Sequence, residues 1–111
     1  MARVAASIRF SRSSGSSKEL RKRAGTWLKQ RRQAVGLSQI ELAQKLGFKY
    51  YTFISQVENG FGRVPSQSME DWAAALGMPP DEFARRLLSY YDPDLHRILF
   101  GGGETVSQRR T

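Results

Sequence analysis

Leu37–Gly60, LSQIELAQKLGFKYYTFISQVENG, decides the fold. It reads as two short helices joined by a glycine-containing turn. Ser38 opens the first, with Glu41 three residues on. The Ser hydroxyl accepts the amide of the third helical residue while the Glu carboxylate reaches back to the cap amide, which is a capping box. Leu42, Ala43 and Leu46 then share one side of this helix. Gly47 stops it, because glycine tolerates the left-handed backbone that a helix end often needs. The second helix begins near Tyr50 or Tyr51 and runs to Asn59. Ile54 and Val57 point inward, Phe48 packs from the turn, and Gly60 ends the helix.

Two helices this short cannot bury their apolar faces alone, so the rest of the chain must support them. Their outer face is polar: Gln39, Lys49, Thr52, Ser55, Gln56 and Asn59. Amide and hydroxyl side chains are the groups that read base edges and grip phosphates. The same residues also fit the solvated surface of an ordinary helical hairpin.

With 111 residues and 12.6 kDa there is room for one small domain and its tails. Hydrophobic residues make up 40%, enough for one compact core, and no apolar run approaches the length of a membrane span. The N-terminus lacks the continuous apolar stretch of a secretory signal. The absence of Cys excludes disulfides and cysteine metal sites and suits a reducing cytoplasm.

The net charge of +8 is unevenly spread. Residues 1–23 hold seven Lys or Arg against one acid, and residues 24–63 hold six against two. Residues 64–100 reverse this, with three against six, and 101–111 hold two against one. A basic end that faces a polyanion explains the polarity, and the positive charge coincides with the helix pair. A basic tail that only aids solubility is the alternative.

Residues 1–17, rich in Ser, Arg and small side chains, read as a basic arm that is disordered in isolation. Arg3, Arg9 and Arg12 in it suit phosphates or a minor groove, or else belong to a plain extension. A helix from about Lys18 to Ala34 carries a buried stripe of Leu20, Ala24, Trp27, Leu28 and Val35 and ends at Gly36. Past the helix pair, the loop FGRVPSQS contains Arg63, which suits a phosphate. A fourth helix, about Gln67–Leu76, buries Met69, Trp72, Ala73 and Leu76 and stops at Gly77. A fifth, about Pro80–Tyr90, has acids in its first turn and turns Phe83, Leu87 and Leu88 inward. Asp92-Pro93-Asp94 signals a short helix, Asp94–Phe100, before a flexible tail at 101–111. Tyr90 to Phe100 then offers more apolar surface than a small core requires. It is either a partner surface or a segment folded back on the first and fifth helices.

GLSQIELAQKLG followed by ISQVENG resembles the helix-turn-helix of phage Cro and CI repressors and their bacterial relatives, the XRE-like family. The resemblance runs from about Leu28 to about Leu88 through LKQRRQAVGLSQ, ELAQKLG, SQVENG, a Pro and ALGM, in that order and spacing. It implies an all-α, five-helix, lambda-repressor-like domain over 18–90, with the helix-turn-helix at about 38–59 and a short extra helix in 91–100. It implies a regulator that binds palindromic double-stranded DNA as a homodimer, with the third helix in the major groove. Gln56 then takes the position of a base reader, since a Gln amide pairs with N7 and N6 of adenine. Tyr51, Thr52 and Ser55 are further base or phosphate contacts, and Gln39 and Asn59 match the family's phosphate-gripping positions. Arg32 and Glu58 stand where the family has an ion pair tying the first helix to the third. Arg31 replaces a residue that is more often apolar, and its stem can cover the core edge while the guanidinium stays in water.

The sequence departs from the family in one respect. Between Leu46 and Glu58 it has one residue more than the commonest spacing. Counting back from Glu58-Asn59-Gly60 puts Tyr50 at the cap of the third helix and enlarges the turn around Lys49. Which of Lys49, Tyr50, Tyr51 and Thr52 meets DNA is therefore left open.

No enzymatic constellation is present in the sequence. His96 is the only His and belongs to the last short helix, so no metal site is expected. Glu70, Asp71, Asp81 and Glu82 fall in first helical turns, where the helix dipole accounts for them. Gly101–Gly103 lacks the Lys and Ser or Thr of a phosphate loop, and no cofactor is expected. The family resemblance implies a cytoplasmic regulator of bacterial or phage origin, associated with the nucleoid when bound. The competing reading is an antitoxin or antiactivator whose apolar Tyr90–Phe100 segment masks a protein partner.

Overall fold

The computed structural model of the chain describes the backbone of residues 2–101 and the side chains of residues 17–101. These residues form helices and no strand: α1 Ala2–Ala34, α2 Gln39–Lys45, α3 Thr52–Glu58, α4 Met69–Ala75, α5 Pro80–Tyr91 and α6 Pro93–His96. A 3-10 turn, Ser66–Ser68, leads into α4, and a π-type turn, Arg97–Gly101, follows α6. α1 packs against both α3 and α5, α2 packs on α3, and α4 and α6 pack on α5. The all-α architecture is the one the sequence leads to.

Helices of seven residues do not persist alone in water, so burial must hold α2, α3 and α4 in place. Leu42, Ile54, Val57 and Trp72 from these three helices meet Leu28 of α1 and Phe83 and Leu87 of α5, all with no more than 1% of their surface exposed. Each large apolar side chain buried in this way contributes about 1.5–3 kcal/mol. Trp27 covers the rim of this core, its ring 5.8 Å from that of Phe83.

Several expectations need correction. α1 is helical back to Ala2 rather than from Lys18. No proline interrupts residues 2–34, and lengthening a helix that is already docked costs little per residue. The side chains of Arg3, Arg9 and Arg12, and the tail 102–111, lie outside the described residues. Val35 is 40% exposed instead of buried, because α1 ends at Ala34 and Val35 falls in the turn. Arg31 does not leave its guanidinium in water. Its Nη2 donates to the Leu76 carbonyl at 3.1 Å, because α1 passes the end of α4, where terminal carbonyls lack helical partners. The fourth helix begins at Met69 after the 3-10 turn, not at Gln67. The last helix stops at His96 instead of Phe100. α6 packs mainly on α5 and on the turn that follows it, and residues 97–101 take π-type geometry.

Candidate nucleic-acid interface

The capping box at the start of α2 is present in full. Ser38 Oγ accepts the Glu41 amide at 3.0 Å, and Glu41 Oε1 accepts the Ser38 amide at 2.8 Å. α2 closes with the Phe48 amide donating to the Ala43 carbonyl, which turns the Phe48 ring onto Phe53 of α3 in an edge-on contact at 5.4 Å. Residues 49 and 50 form a bend between the two helices. Tyr51, not Tyr50, is the N-cap of α3, and it caps without a side-chain bond. The shift is one residue, within the ambiguity of any helix end.

A buried cluster holds the two helices at a fixed angle. Arg32 Nε and Nη2 donate to Glu58 Oε2 and Oε1 at 2.7 and 3.0 Å, a two-pronged pair. Arg32 Nη1 also donates to the Leu37 carbonyl at 2.8 Å, at the turn before α2. Gln39 Nε2 donates to Glu58 Oε1 at 2.9 Å. The four residues thus join α1, the start of α2 and the end of α3. Only 6% of either charged residue is exposed, so each charge depends on the other. Gln39 is half-buried through this bond, and its amide retains a second proton.

The outer side of α3 carries Thr52, Ser55, Gln56 and Asn59, spaced three or four apart and so on one stripe. Thr52, Gln56 and Asn59 are exposed and Ser55 is half-exposed. Asn59 Nδ2 leans on Ser55 Oγ at 3.4 Å. The backbone beneath is closed by the Phe61 and Gly62 amides, which donate to the Gln56 carbonyl at 2.9 and 3.2 Å. At the leading end, Tyr50 and Tyr51 are 67% and 49% exposed, and Lys49 Nζ lies 5.6 Å from the Tyr50 ring centre. The face therefore mixes amides, hydroxyls, two phenols and a cation.

The loop after α3 is anchored by a residue whose place the sequence leaves open. Sequence alone leaves Tyr91, in the apolar Tyr90–Phe100 stretch, either on a partner surface or folded back; it is buried, and its hydroxyl accepts the Val64 amide at 3.1 Å. Burial pushes the Tyr91 phenol above its usual value of 10.0, while the Val64 hydrogen bond and the nearby Arg63 and Arg21 charges pull the other way. Arg63 stacks over the same ring at 4.4 Å and stays exposed. Tyr91 therefore places a cation beside the end of α3. Phe61, 80% exposed in that loop, was not singled out from sequence either.

Gly25 was also missed. A Cβ there would sit 2.2 Å from the Glu58 carbonyl oxygen, so only glycine lets α1 lie this close to the end of α3. A glycine inside a helix is a visible signal of close approach, although it does not name the partner.

Residues 28–83 match the model of a helix-turn-helix family. A search of curated proteins finds no match.

Proposed function

Because the chain belongs to the Cro/CI-type (XRE-like) helix-turn-helix family of DNA-binding transcriptional regulators, we propose that it binds a palindromic operator as a homodimer, and acts as a repressor. In this reading α3 enters the major groove and α2 lies across the backbone. The observation that carries it is the unobstructed stripe of Thr52, Ser55, Gln56 and Asn59 on a helix locked from beneath by Arg32 and Glu58. Gln56 reads bases, with Tyr51, Thr52 and Ser55 adding base or phosphate contacts. Gln39, Asn59 and Arg63 grip phosphates, as do Lys49 and Tyr50 from the enlarged turn. No described helix is long and apolar enough to cross a membrane, and the proposed place of work is the cytoplasm.

Selection of duplexes from a random library by the full chain tests the reading. A recovered palindrome, with half-sites about 34 Å apart, supports it. Recovery of unenriched sequence overturns it.

One observation favours a second reading. Leu95, Ile98 and Leu99 are 41%, 62% and 52% exposed, close together at the end of the described chain. In the operator reading they form the contact between the two copies. In the alternative they mask a foreign protein, as an antitoxin or antiactivator would. Light scattering separates the two: a stable homodimer lost on Ile98→Ser/Leu99→Ser favours the first, and a monomer that pairs only with another protein favours the second.

A further inference from the structure

We propose that Lys18, Arg21 and Lys22 on α1, with Asn59 and Phe61 at the end of α3, form a second surface for duplex phosphates beside the helix-turn-helix. This rests on the DNA reading above and extends the footprint to a helix that carries none of the base-reading side chains.

Spacings of three and four put Lys18, Arg21 and Lys22 on one face of α1. That face meets the end of α3 in a groove of about 220 Å³ lined by these three cations and by Asn59, Gly60 and Phe61, with no carboxylate among the lining residues. The two ion pairs among the described residues, Arg32–Glu58 and Arg97–Asp94, do not engage any of the three. Glu19 lies on a different groove, along with Lys22 and Arg23.

The placement is rigid. Gly60 has φ +84°, and a Cβ there would lie 2.8 Å from the Lys22 Cα, so the two backbones are in direct contact. The α1 backbone that carries the cations consequently keeps a fixed position beside Asn59, at the end of the proposed reading stripe. On the loop after α3, Arg63 stacks over the Tyr91 ring at 4.4 Å and adds an exposed cation beyond Phe61. The basic strip thus continues from α1 to the loop after α3. An 80%-exposed phenyl ring, Phe61, between these cations suits the apolar edge of a sugar–phosphate backbone better than it suits open water.

The test is a salt series of the full chain binding a mixed-sequence duplex and a selected duplex, read by fluorescence anisotropy. Each phosphate contact contributes about 0.9 to the slope of log K against log salt. The Lys18→Gln/Arg21→Gln/Lys22→Gln variant is expected to flatten that slope by about 2–3 on both duplexes while the preference between them is kept. Lys18→Gln/Lys22→Gln, which spares the half-buried Arg21, is expected to flatten it by about 2 and serves if the triple variant unfolds. An unchanged slope in a folded variant overturns this proposal and leaves the operator reading standing. A wild-type chain that binds both duplexes equally overturns the operator reading, while a flattened slope in the variants still supports the α1 surface. Failure of the wild-type chain to bind either duplex overturns both.

Discussion

Gln56 and Glu58 are two positions apart on α3 and sit in opposite environments. Gln56 is exposed and free to present both ends of its amide, while Glu58 is 6% exposed and surrounded by donors. Gln56→Ala is therefore expected to leave the melting temperature nearly unchanged and to weaken binding to the selected operator by about 1–3 kcal/mol. Binding to mixed-sequence DNA is expected to stay the same. An equal loss on both duplexes would remove Gln56 from any reading role. Glu58→Gln is expected to act on stability instead. It strands the buried Arg32 charge and turns an amide donor toward the Arg32 and Gln39 donors, at a cost of about 3–5 kcal/mol in urea unfolding. Replacing both partners, as Arg32→Met/Glu58→Met, is expected to cost less than either single change implies. A loss below about 1 kcal/mol for Glu58→Gln would mean that the pair behaves like an exposed one.

At the scale of elements, the crossing of α1 over α3 sets the angle at which the outer stripe is offered. Gly25 and Gly60 sit on either side of that crossing, one against the Glu58 carbonyl and one against the Lys22 backbone. Neither neighbour is a flexible side chain that can move aside. Gly25→Ala is expected to force the helices apart, destabilising the chain by at least about 1–3 kcal/mol and weakening DNA binding through the displaced α3. A variant with unchanged stability, measured by thermal melting, would show that the crossing has slack. The turn between α2 and α3 is looser. α3 begins without a side-chain cap, and Phe48 packs edge-on against Phe53 there. Lys49 and Tyr50 in this turn are both exposed, so no buried packing depends on either.

Across the whole molecule, α5 is hydrogen-bonded to the loop after α3 through Tyr91. Its burial makes the folded state hold the phenolic proton more tightly than the unfolded state does. Below about pH 10 both states are protonated and the contribution is complete. Above it the unfolded chain ionises first, so stability falls as pH climbs toward the raised folded value. Tyr91→Phe is expected to flatten this alkaline limb in urea titrations. It is also expected to lower stability at neutral pH by about 1–3 kcal/mol, because the buried Val64 amide loses its acceptor. An alkaline limb that survives in the variant would assign it to other groups.

The helix pair, its capping box, its glycine stops and the apolar stripes of α3, α4 and α5 were legible in the sequence because each rests on contacts within a few residues. Arg32 with Glu58 was legible through the family pattern, as was the position of Gln56. Tertiary structure decided the rest. Val64 lies in a loop with no periodicity, and the fold makes it core, with its amide held by Tyr91. Tyr90 to Phe100 offers more apolar surface than a small core requires, yet α5 carries Tyr91 inward against Val64 while Leu95, Ile98 and Leu99 stay outside. Arg31 finds its acceptor, Leu76, 45 residues away, at a helix end that no local pattern brings near. The basic face of α1 was visible only as net charge, because it takes the fold of the chain to lay Lys22 against Gly60. Local order followed from residue spacing, whereas the neighbours of each face depended on which helix the collapsed chain placed beside it.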